Sequence, residues 1–159
     1  MQGVPVIDRI PPRVRRLVVI ALRLGIAAVF LFAALPKLAD PAAFARDVDN
    51  YRMLPDVLVG PVAAALPVLE LVVVAALLTG VHASGAALVA AGMLGAFAIG
   101  MGQALARGID LDCGCFGAAA EAQVSGATIA RNLVLMAACV PIVLAREPES
   151  QPAPVQAEG

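Results

Sequence analysis

Four runs of this chain, 17–35, 57–78, 85–106 and 127–145, each stay apolar for about twenty residues. A helix of that length crosses the ~30 Å hydrocarbon core of a bilayer. Charges inside the runs are few: Arg23 in the first, Glu70 in the second, none in the third, and Arg131 beside Asn132 in the first turns of the fourth. Each run is apolar all round rather than along one stripe, which excludes soluble amphipathic helices. In lipid the backbone must satisfy its own hydrogen bonds, so unbroken apolar runs of this length are helices. The expected fold is therefore all-α: an integral membrane four-helix bundle with the lipid bilayer as its surroundings. Composition agrees. The chain is 61% hydrophobic and 14% charged, against ~45–50% and ~25% in soluble domains. A formal net charge of −1 gives nucleic acid nothing to bind.

The flanks organise the rest. Residues 1–16 form a basic N-terminal segment, 17–145 the membrane domain and 146–159 a tail rich in Pro and Glu that is expected to be disordered. Arg13, Arg15 and Arg16 before an apolar run resemble a signal peptide. The run exceeds the ~7–15-residue signal core, however, and three more spans follow, so it reads as an uncleaved first helix. Lys and Arg distribution favours both termini in the cytoplasm. That side then holds Arg9, Arg13, Arg15, Arg16 and Arg146, and the outer side Lys37, Arg46, Arg52 and Arg107. The expected location is a bacterial inner (plasma) membrane, with the loop between the third and fourth runs extracytoplasmic. Thr79–Ser84 is short enough for a tight turn. Asp40 before Pro41 is an N-cap followed by Pro at the first helical position. Phe44, Val48 and Tyr51 then recur at helical spacing, which predicts a short interfacial helix between helices one and two, ended by Pro55.

The chemistry concentrates in Arg107-Gly108-Ile109-Asp110-Leu111-Asp112-Cys113-Gly114-Cys115-Phe116-Gly117. Two cysteines one residue apart close a disulfide only in a tight ring, and Gly114 accepts the backbone angles such a ring needs. A strained, exposed disulfide exchanges readily, and a loop this small adds little stability. A redox-active pair is thus the leading reading, that of a membrane thiol–disulfide oxidoreductase. Asp110 and Asp112 disfavour a thiolate, while Lys37, Arg107 and Arg131, from three helix ends, are the cations that would favour it. Gln103 and Asn132 would join Arg131 in a polar floor beneath the loop. Two inert thiols and a metal site remain as alternatives. Zinc lacks ligands here, and two thiolates suit Cu(I) better. A quinone is the cofactor to consider, although relays that recharge disulfide carriers use two cysteine pairs and this chain has one.

Arg23 and Glu70 are the other charges within the runs. Counted along their helices at 1.5 Å per residue, Arg23 lies ~9 Å and Glu70 ~10 Å from the inner face. Matched depth predicts a buried Arg23–Glu70 ion pair; a transport pathway through the two is the alternative. Cys139 lies ~18 Å into its helix, out of reach of the pair, and reads as a small hydrophobe. Gly92, Ala96, Gly100 and Ala104 recur every four residues and offer a close-packing stripe.

The chain resembles the MauE proteins of methylamine utilisation, within the wider DoxX-like group of four-helix membrane proteins. The residues that carry the resemblance are Arg23-Leu24-Gly25, Lys37-Leu38 with Asp40-Pro41, Tyr51-Arg52-Met53-Leu54-Pro55, Leu66-Pro67 with Leu69-Glu70, Arg107-Gly108, Cys113-Gly114-Cys115-Phe116-Gly117 and Arg131-Asn132. Together they span residues 17–145. The resemblance implies a role in maturing methylamine dehydrogenase, whose small subunit carries many disulfides. It also implies an extracytoplasmic thioredoxin-like partner or the client protein itself. A non-enzymatic assembly factor and a small transporter or copper-handling protein are the competing functions.

Overall fold

A computed structural model describes residues 11–107 and 126–145, and every regular element among them is a helix. These are α1 (Pro12–Ala39), α2 (Pro41–Asn50), α3 (Asp56–Thr79), α4 (Ala83–Ala106) and α5 (Gly126–Leu144). All but α2 are long and apolar enough to cross a membrane. The fold is the expected all-α bundle with a short helix between the first two spans. The tail and the Cys113-Gly114-Cys115 segment lie outside the described residues.

Local chemistry sets the boundaries. Pro12 opens α1 at its first position, where the missing N–H costs nothing. The span thus begins before Leu17, because the arginines that follow are good helix formers and need not be apolar at the membrane edge. Asp40 ends α1 and starts α2, its carboxylate accepting from the Ala43 N–H at 2.8 Å. Asp56 sits in the first turn of α3, where the helix dipole favours an anion. Gly80 closes α3 in the left-handed conformation, φ 83°, which costs Gly little. The three residues Gly80–His82 then turn the chain into α4.

Successive long helices run in opposite directions. α1 packs chiefly on α3, α4 on α5, and α3 joins the two pairs. One end of the bundle therefore gathers α2, the C-termini of α1 and α4, and the N-termini of α3 and α5. The core is Ile26, Phe30, Val73, Leu77, Met93 and Leu94 with a set of alanines. Leu17 (66% exposed), Phe32 (64%) and Val134 (68%) point outward, as side chains do when lipid rather than water surrounds them.

The four-residue stripe on α4 is only half a packing face. Gly92 and Ala96 are exposed, whereas Gly100 and Ala104 are buried, along with Ala83, Ala86, Ala87, Ala90 and Ala98. At ~3.6 residues per turn, each step of four drifts ~40° around the helix. Three steps carry the stripe off any one neighbour, whereas alternating steps of three and four stay on it.

Candidate functional site

Each helical side chain leaves its backbone leaning toward the N-terminus of its own helix. In the antiparallel pair α1 and α3 this sends Lys37 down into the bundle and Glu70 up toward the α2 end. The two meet: Lys37 Nζ donates to Glu70 Oε1 in an ion pair that is almost sealed, with side chains 2% and 1% exposed. Two aromatic rings complete the ammonium's surroundings, Phe44 of α2 with its centroid at 5.1 Å and Phe97 of α4 at 5.3 Å. Cations over ring faces are attracted most strongly where water is excluded. Glu70 Oε2 is buried and finds no hydrogen-bond partner among the described residues.

This corrects the expected Arg23–Glu70 pair. Arg23 leans the other way, toward the far end of the bundle. Its Nε and Nη2 donate to the Leu77 carbonyl at 2.9 and 2.8 Å. Leu77 contributes one of the last four carbonyls of α3, which have no partner within the helix and carry the negative end of its dipole. Arg23 therefore caps α3, and Gly80 makes room for it: a Cβ there would stand 2.6 Å from Nη2. Counting depth along the Cα trace placed the two charges level; side-chain direction separates them. The capping role was readable in principle, since a cation in one helix beside the C-terminus of an antiparallel neighbour is a general pattern.

Beside the ion pair lies a cavity of about 260 Å³ that sequence reasoning missed. Its walls come from α1 (Lys37), α2 (Phe44, Val48), the following connection (Tyr51), α3 (Leu66) and α4 (Phe97). Phe44, Val48 and Tyr51, recognised as one apolar face, thus turn toward the bundle and roof the cavity. Spacing identified the face but not what it covers.

Of the remaining expected site residues, the structure describes Arg107 and Arg131. Cys113, Gly114 and Cys115 belong to the segment joining α4 to α5, outside the described residues. Arg107 closes α4 and is exposed, and Arg131 stands in the second turn of α5, also exposed. The charge of Lys37 is already balanced by Glu70. Asn132 and Thr128 are buried on the inner face of α5, while Gln103 is exposed, so the expected polar floor divides between two environments. Cys139 is buried in the core, its Sγ 3.4 Å from the Leu135 carbonyl. No cluster of metal-ligating side chains occurs among the described residues.

The chain matches the family described as methylamine utilisation protein MauE over residues 15–145. Curated relatives carry that same name. The one from Paracoccus denitrificans is 38% identical over 130 residues, 81% of this chain and 70% of the relative. The one from Paracoccus versutus is 43% identical over 118 residues, 74% of this chain and 63% of the relative. A third, from Methylophilus methylotrophus, is 41% identical over 93 residues, 58% of this chain and 49% of the relative. The matched regions thus span between half and somewhat over two thirds of these relatives' lengths. No solved structure matches the chain. Because the family match runs from the first turn of α1 to the residue after α5 and so takes in the whole bundle, the chain belongs to the MauE family.

Proposed function

We propose that this protein is a membrane thiol–disulfide protein that assists the maturation of an extracytoplasmic client through Cys113 and Cys115. The single observation that carries the reading is the order of residues along the chain: the Cys113-Gly114-Cys115 pair falls between α4 and α5, with Arg107 directly after α4 and Arg131 in the second turn of α5. Nearby guanidiniums favour thiolates, and in this reading Arg107 and Arg131 counter Asp110 and Asp112. Family membership supports a place in methylamine utilisation, with the small subunit of methylamine dehydrogenase as client and a thioredoxin-like protein as exchange partner.

In this mechanism one cysteine attacks a partner disulfide as its thiolate. The S–S bond of the partner opens, a mixed disulfide forms, and the second cysteine displaces the partner's remaining sulfur. One disulfide is lost as another is made, so two electrons pass between the proteins and no other oxidant is required. The reverse sequence oxidises a partner dithiol. With the N-terminus cytoplasmic, the pair faces the outer compartment, where disulfides persist.

The experiment is covalent trapping in cells that express Cys113→Ser or Cys115→Ser. One variant is expected to accumulate a mixed disulfide with its partner that dithiothreitol releases. Absence of any adduct with both variants, together with normal client maturation in Cys113→Ser/Cys115→Ser, would replace this reading with that of a non-enzymatic assembly factor.

A further inference from the structure

The cavity beneath α2 is built with a concentration of aromatic and charged side chains. Three of the chain's six aromatic side chains, Phe44, Tyr51 and Phe97, line it. The remaining wall is aliphatic apart from Lys37 and Asp47. Aromatic side chains on several walls favour a ring ligand over a flexible chain.

The polar groups narrow the choice further. Lys37 lines the cavity, but its charge is cancelled by Glu70. An anionic head, such as a fatty acid carboxylate or a phosphate, would bring a second negative charge to one ammonium that is itself nearly sealed, in a site that Asp47 also lines, which is unfavourable. The site thus selects a neutral head. An ammonium has three N–H donors; one serves Glu70 Oε1, and a ligand carbonyl accepts from another. On the other arm of the pair, the buried Glu70 Oε2 has no donor among the described residues, and a ligand hydroxyl is suited to supply one. Size sets the last limit. A cavity of ~150 Å³ holds a benzene, so about 260 Å³ holds one substituted ring and no long tail. Any tail must lie in the surrounding lipid.

We propose that this cavity binds the head group of a membrane quinone or its quinol, held between Phe44, Tyr51 and Phe97 and hydrogen-bonded to Lys37. A quinone ring is flat, neutral and of this size. Its carbonyl meets the ammonium, and in the quinol form its hydroxyl adds a donor for Glu70. The inference concerns binding alone and stands apart from the cysteine chemistry.

The protein carries its own reporter. It has no Trp and a single Tyr, and that residue, Tyr51, lines the cavity. Ubiquinone-1 titrated into the full chain in phosphatidylcholine nanodiscs is expected to quench tyrosine emission saturably. Gly100→Leu, whose Cβ starts 3.6 Å from Met53 and 3.8 Å from Tyr51, fills the space and should abolish the saturable phase. Ala96→Phe serves as a second filling variant should the first not fold. Lys37→Met/Glu70→Leu, which removes both charges together, should weaken binding on the order of tenfold, the value of one charged hydrogen bond. Cys113→Ser/Cys115→Ser should bind as the unaltered chain does, so the binding and the thiol reading fail separately. Quenching that rises linearly and equally in the filling variants would mean partition into lipid and would overturn the proposal. Displacement of the quinone by stoichiometric palmitate would overturn it too, by showing that the site takes anionic heads.

Discussion

The Lys37–Glu70 pair should dominate the stability of the α2 end. Both side chains are nearly sealed from solvent, at 2% and 1% exposure, so removal of either leaves a charge with neither water nor counter-ion. Breaking a buried pair in this way costs ~3–5 kcal/mol, whereas replacing both members with apolar groups of similar volume is close to neutral. Lys37→Met and Glu70→Leu should therefore each lower unfolding free energy by ~3–5 kcal/mol. The double variant should recover most of the loss, a coupling of about 3 kcal/mol or more. Arg23→Gln combined with Glu70→Leu is the built-in control. Arg23 is bound at Leu77, seven residues and ~10 Å along α3 from Glu70, where effects usually add within ~0.5 kcal/mol. The assay is reversible unfolding of the purified chain in mixed micelles, followed by far-ultraviolet circular dichroism. If Lys37 and Glu70 proved additive while Arg23 and Glu70 coupled, the assignment of partners would be refuted.

Gly80→Ala should destabilise by ~1–2 kcal/mol, since φ 83° strains any residue with a Cβ and that Cβ would meet Arg23. Thermal unfolding of the Arg23→Ala/Gly80→Ala double variant should show the clash part of the loss relieved and the backbone part retained. A membrane-impermeant maleimide should label Cys113 and Cys115 in intact, reduced cells; labelling that requires an opened membrane would invert the topology.

Several features at the α2 end were legible in the residues, and others were not. Asp40-Pro41 announced α2 because an N-cap and an N1 proline act within one turn, and the carboxylate does bond the Ala43 N–H. The face made by Phe44, Val48 and Tyr51 was legible because three and four residues return a helix to the same side. That this face covers a cavity was not, since the far wall comes from α3 and α4, residues 62–100. Lys37 was singled out as a cation at a helix end, but for the cysteines. Its partner Glu70 lies 33 residues away, and nothing in local spacing ties the two together.

By itself, then, the sequence determined that this chain crosses a membrane four times, where its tight turn and short helix fall, and which family it belongs to. Those properties depend on hydrophobicity, on capping chemistry and on a run of residues around Cys113-Gly114-Cys115, all local in the chain. The tertiary structure alone decided that Glu70 belongs to Lys37, that Arg23 caps α3 through the Leu77 carbonyl, and that three aromatic side chains line a space beside the pair. Those outcomes turn on which way a side chain leans from its helix and how far each helix is rotated about its axis. Both are set by the neighbours a helix packs against, and the order of residues along one chain does not contain them in readable form.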